Sequence, residues 1–196
     1  MKGGSFEREV CTLLSKWWTN GKRDDIFGRS DGSGSRFTAR MKRGKDTANQ
    51  CGDITFTDSI GEPLIKIWST ECKTGYGGKE KIKDASGVVV KSIQYRWDIL
   101  DLIDSSQKQT VFEMMWEQCF RDANLSNREP VLIFRRNQRK ICIAMTSDYF
   151  GKFVPLYGQP AFRIVRYDSN LHIFIMPIKE FLEWAHDFSN LIGKIH

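Results

Sequence analysis

Paired cysteines are missing from this 196-residue sequence: Cys11, Cys51, Cys72, Cys119 and Cys142 are scattered, and none stands in a C-x-x-C. An odd, dispersed set argues against a complete disulfide framework and fits a reducing, cytoplasmic compartment. Histidine is scarce. His172, His186 and His196 all come late, none at zinc-ligand spacing from a cysteine, so a structural zinc site is not expected. No apolar run reaches the about 18 residues that would suggest a membrane span, and the opening "MKGGSFEREV" lacks the apolar stretch of a signal peptide. Neither membrane insertion nor secretion is expected. The Gly-rich "GYGGKEKIK" lacks the G-x-x-x-x-G-K-[ST] of a phosphate-cradling loop, and no internal repeat is visible.

What is present suits one folded domain, with 40% hydrophobic and 28% charged residues. The net charge of +6 favours anionic partners without naming one. Its distribution says more. Between Lys22 and Lys45 eight Lys and Arg stand against three Asp, interrupted by "SDGSGS". This basic loop, about residues 22–50, is either a solvated surface or a contact for a phosphate backbone.

Periodicity gives a helix over residues 5–19, where Phe6, Val10, Leu13, Leu14 and Trp17 form an apolar stripe. At about 100° per residue, Glu7 falls inside the arc swept by Leu13, Phe6, Val10, Leu14 and Trp18, and Glu9 at or beyond its far edge. An inward carboxylate must be paired, protonated or bound to a cation. Short strands are expected near Ile26 and over Arg36 to Met41. "CGDITFTD" (51–58) and "LIKIWSTECK" (64–73) read as an antiparallel hairpin about the turn "SIGEP". That hairpin would set Asp53 beside Glu71 and Lys73, the latter two on one strand face. "SIQYRWDILDLID" and "QTVFEMMWEQCFRDA" read as helices, with Val111, Met114, Met115 and Cys119 on one side of the second. Strands follow at "PVLIFRRN", "KICIAMT", "QPAFRIVRYD" and "LHIFIMPI", then a closing helix "IKEFLEWAHDF". The order suggests α/β architecture with a mixed sheet.

Glu7, Asp53, Glu71 and Lys73 therefore stand out together. Carboxylates from a helix and two strand ends can converge on a hard divalent cation, and a lysine beside it can assist an attacking water or neutralise charge on a phosphate. E-x-K alone is more often a surface ion pair; its company gives it weight.

These residues resemble the PD-(D/E)XK nucleases, and among them the archaeal-type Holliday junction resolvases. The resemblance rests on "KGGSFERE", "SGS" at Ser33 to Ser35, "GDI" at Gly52 to Ile54 and "ECK" at Glu71 to Lys73. It implies a restriction-endonuclease-like core with a mixed central sheet flanked by helices. It also implies a Mg²⁺- or Mn²⁺-dependent endodeoxyribonuclease in which Glu7, Asp53, Glu71 and the carbonyl of Cys72 hold the metal and Lys73 assists the water. Ser33 best matches the serine that contributes to activity in the resolvases, with Ser30 and Ser35 as alternatives. Arg8 is expected to meet phosphate, as are the loop's Arg29, Arg36, Arg40, Lys42, Arg43 and Lys45.

The nuclease core is expected over residues 1–146, with an insertion at about 75–107 and a C-terminal strand-helix extension over 147–196 packed on the same domain. The long basic stretch between "SGS" and "GDI" departs from the resolvases and weakens junction specificity more than catalysis. The expected partner is DNA, branched if the resolvase likeness holds, and a homodimer would cut two strands symmetrically, with "QYRWDILDLI" as a candidate interface. A non-catalytic nucleic-acid-binding module, or a protein whose charges merely pair on the surface, would share much of this pattern.

Overall fold

The computed structural model describes residues 3–30, 51–75, 79–94, 109–168 and 171–194. Helix α1 (Gly3–Trp18) buries Phe6, Val10, Leu14 and Trp18, one residue per turn, with Leu13 and Trp17 partly buried at the margin of the stripe. The chain then enters β1 (Phe27–Arg29), which pairs antiparallel with β2 (Ile54–Phe56).

The expected hairpin between residues 51–58 and 64–73 does not form. Ser59–Gly61 is a 3-10 turn, Glu62–Ile67 is helix α2, and strand β3 occupies only Trp68–Thr74. Apolar residues at 64, 65, 67 and 68 satisfy helical spacing as well as a strand. Pro63 in the first turn and the Glu62–Lys66 pair one turn apart (3.2 Å) tip the balance to helix. Strand β3 instead runs parallel to β6 (Glu129–Arg135).

Strands β4 (Lys79–Lys83) and β5 (Val89–Gln94) form a separate antiparallel hairpin, so residues 92–94 are strand where a helix was expected. The remainder of that expected helix, the candidate dimer face over residues 95–103 and the expected strand at Arg36–Met41 lie outside the described residues. Helix α3 (Val111–Leu125) starts at a reciprocal cap: Glu113 N–H donates to Thr110 Oγ1 (3.2 Å) and Thr110 N–H to Glu113 Oε2 (2.6 Å). It buries Val111, Met115 and Cys119, while Met114 points outward.

Strands β7 (Ile141–Thr146), β8 (Ile164–Asp168) and β9 (Leu171–Pro177) complete a five-stranded sheet of order β3-β6-β7-β9-β8, antiparallel except for the β3–β6 pair. Residues 147–196 thus supply two strands to the sheet, together with helices α4 (Ser147–Gly151), α5 (Val154–Tyr157), α6 (Ile178–Trp184) and α7 (Phe188–Leu191).

Strand β6 shows how the sheet divides the core. Val131 and Ile133 join α1, α6 and α7 on one face, while Leu132 and Phe134 join α3 on the other. Trp17, Trp68 and Phe188 stack within the first cluster, and Trp68 Nε1 donates to Tyr149 Oη at 2.7 Å. Among the described residues no helix is long and apolar enough to cross a membrane.

Candidate active site

Gly52 fixes the local geometry. It holds φ +81°, and a Cβ there would lie 2.6 Å from the Thr70 carbonyl oxygen of β3. Only glycine allows so close an approach in that conformation. Asp53 is thereby pressed against the outer edge of β3. Its N–H donates to Thr70 O (2.7 Å), and its Oδ2 accepts from the Cys72 N–H (2.8 Å). Ser30 ties down the same turn, donating from N to Asp53 O (3.0 Å) and from Oγ to Gly52 O (2.6 Å). Asp53 and Glu71 therefore meet as neighbours, as the sequence suggests, but through a one-residue edge contact and not through a hairpin.

Glu71 and Lys73 alternate with Cys72 along β3. The register Glu71↔Leu132 and Lys73↔Phe134 puts both on the α3 face of the sheet. The Glu71 Oε1 accepts from Lys73 Nζ and from Gln118 Nε2 of α3 (3.1 Å). Burial, with the charge of Asp53 behind it, pushes the Glu71 carboxyl up to about 7, against the opposing pull of Lys73. Such a group is held near neutrality and would be drawn into the ionised form by an added cation. The Cys72 thiol points into the α1-side core, where burial holds it protonated. Its carbonyl shares the outer strand edge with its N–H.

Glu7 projects from α1, its side chain 12% exposed, and is paired with Arg29 of β1, 43% exposed. Burial raises the Cys11 and Cys72 thiols, and the charges of Glu7 and Asp53 add to that rise at both. Arg29 feels the same two charges, Glu7 first and Asp53 after it, and its guanidinium is stabilised as a cation by them. A Cβ on Gly4 would lie 3.1 Å from the Arg29 guanidinium, so the glycine in "KGGSFERE" makes room for this arginine. Arg29, expected to meet phosphate, is here the partner of Glu7.

Among the described residues no three His, Cys, Asp or Glu side chains already converge as a metal cluster. The donor set nevertheless fits a hard divalent cation in kind. Glu7, Asp53 and Glu71 offer carboxylate oxygens and Cys72 a carbonyl, and two of the carboxylates now hold the cationic side chains of Arg29 and Lys73. Arg8 is exposed on α1. Ser33, Arg36, Arg40, Lys42, Arg43 and Lys45 lie outside the described residues, as does Ser35.

Gln118 was missed in the sequence. It stands seven residues after Val111 and three after Met115, on the inward side of α3, and a polar residue at a core-facing position is the signal that could have found it.

Residues 87–191, more than half of the chain, match the model of a family described as "Phage putative PDDEXK endonuclease". The chain belongs to this PDDEXK endonuclease family. Membership carries the PD-(D/E)XK superfamily and a restriction-endonuclease-like fold, which the mixed sheet flanked by helices embodies, and it makes the chain a nuclease of the hydrolase class. PDDEXK nucleases typically use divalent metals and act on DNA. No curated protein and no solved structure matches the chain. The matched span of this PDDEXK endonuclease begins beyond β3, so it holds Gln118 and the inner strands but not Glu7, Asp53, Glu71 or Lys73. It speaks for the superfamily and is silent on Holliday junction resolvases.

Proposed function

We propose that this chain is a Mg²⁺- or Mn²⁺-dependent DNA endonuclease whose centre is Glu7, Asp53, Glu71 and Lys73 at the outer edge of β3. One observation carries the reading: a buried Glu71, its carboxyl pushed up to about 7, shares its surroundings with Asp53 and with a lysine two residues along the same strand face. A divalent cation held by these oxygens would supply Lewis acidity to the phosphodiester and activate a water. Asp53, held by the Cys72 N–H, is oriented by the strand edge itself. Gln118 fixes the Glu71 carboxylate.

Lys73, paired with Glu71 on the same strand face, is placed where it would steady an attacking water or the charge growing on the phosphate if a cation were held by the carboxylates. Ser30 positions the turn that carries Asp53; Ser33 remains the candidate by resemblance for a direct part in activity.

In the test, Glu71→Ala is compared with wild type on duplex DNA in Mg²⁺, with binding measured in Ca²⁺ or EDTA. Cleavage is expected to vanish while binding persists; full cleavage by the variant would sink the assignment. Four-way-junction, flap and single-stranded substrates sort the finer readings, with paired symmetric nicks across a junction expected of a homodimeric resolvase.

The engagement of Glu7 with Arg29 favours a second reading, a nucleic-acid-binding module that keeps the fold without cutting. It requires binding with a steep salt dependence and no cleavage in any divalent metal.

A further inference from the structure

At the end of the sheet where β6 passes into β7, a cavity of about 320 Å³ is lined by Arg135, Arg139, Lys140 and Lys179 together with Glu9 and Glu180. Both carboxylates are committed. Glu9 pairs with Arg135 at 2.8 Å, and Glu180 with Lys140 at 3.1 Å. Arg139 and Lys179 are exposed and, among the described residues, have no acidic partner. The Arg135 guanidinium also lies over the Phe6 ring, 4.8 Å from its centroid, which fixes that arginine in place. The cavity is therefore rimmed by anchored charge pairs and carries two spare positive charges.

Register relates this cavity to the candidate active site. Strands β3 and β6 run parallel, with Lys73 beside Phe134 and Thr74 beside Arg135, so Arg135 stands one step beyond Lys73 at the same end of the sheet. Glu71 and Lys73 face α3, whereas Arg135 faces α1. The two sites thus sit on opposite faces but at one end.

We propose that this cavity is a second contact for the nucleic-acid backbone, in which Arg139 and Lys179 bind a phosphodiester flanking the one to be cut. The inference rests on the nuclease reading and adds a grip that lies outside the basic loop of residues 22–50. A polyanion is the ligand the chemistry favours. Exposed cations gain little from a single small anion in water, whereas each phosphate of a polymer neutralised by Lys or Arg releases condensed counterions.

The experiment uses the full chain and compares R139A/K179A with K16A/R163A, which removes the same charge from exposed sites outside the cavity. Affinity for duplex DNA is measured in Ca²⁺ across a salt series, and inorganic phosphate binding is measured by calorimetry. The cavity variant is expected to weaken DNA binding alike for every sequence and to lower the salt slope by about 1, for one phosphate contact, with the control near wild type. Equal losses in the two variants would mean that net charge alone acts, and would overturn the proposal. Loss of phosphate binding with DNA binding intact would assign the cavity to a free phosphate and overturn it also. The slope difference appearing between cavity variant and control while wild type never cuts DNA in Mg²⁺ or Mn²⁺ would leave the contact standing and remove the nuclease reading.

Discussion

Glu71 is the carboxyl that burial displaces upward among the described residues. Its folded pKa is raised above the ordinary carboxylate value, chiefly by burial, so the unfolded state ionises first as pH rises. Its contribution to stability is therefore fully present below the usual carboxylate range and is lost as pH climbs through about 7. In EDTA, thermal melting is expected to show wild type losing stability relative to Glu71→Gln between pH 5 and pH 7, by about 2 kcal/mol for a shift of this size. A flat difference across that range would show the carboxylate to be ordinary.

Arg29 makes a complementary prediction. Because it holds Glu7, Arg29→Ala should tighten Mn²⁺ binding to the DNA-free protein by removing a competing cation, read by calorimetry. An unchanged affinity would take Glu7 out of the metal site. Both residues were visible in the sequence as a carboxylate on an apolar stripe and an arginine in a basic run. Their pairing was not, because it depends on the path by which β1 returns along α1.

At the scale of elements, the sequence patterns foretold α1, α3 and the inner strands because each buries one face against the sheet or is buried on both. The segment from 59 to 74 was misjudged for a physical reason: "LIKIW" satisfies two periods at once, and only Pro63 and the Glu62–Lys66 pair decide between them. Adjacency of Asp53 and Glu71 survived that error because it does not depend on a hairpin. It depends on Gly52. Gly52→Ala would set a Cβ 2.6 Å from the Thr70 carbonyl at a φ of +81°. That substitution is expected to cost more than about 1 kcal/mol and to abolish cleavage by moving Asp53, as melting and activity assays would show.

On the scale of the molecule, residues 147–196 are part of the core. Strand β9 pairs with β7 along five residues, and Phe174, Phe181 and Phe188 are buried with Phe6 and Trp68 in the α1-side cluster. A chain ended at residue 146 is expected to lack a cooperative melt and to expose apolar surface. Phe181→Ala in the full chain should cost about 3–5 kcal/mol. A well-folded truncated chain, seen by dispersed NMR signals, would show the C-terminal part to be an appendage after all. The alternation of β8 and β9 was legible as a strand pair, but its place beside β7 was not, since a two-strand pattern leaves open which sheet it joins.

Asp53 has one more consequence. Strand β3 borders the sheet, and its outward Thr70 carbonyl and Cys72 N–H are both taken up by this single aspartate, through its backbone and its carboxylate. A bare border strand invites a strand from another molecule. The residue proposed as a metal ligand thus also occupies the edge groups that a strand from a second copy would otherwise pair with. An alanine there would mix lost chemistry with lost solubility, whereas Asp53→Asn keeps the acceptor for Cys72 and separates the two.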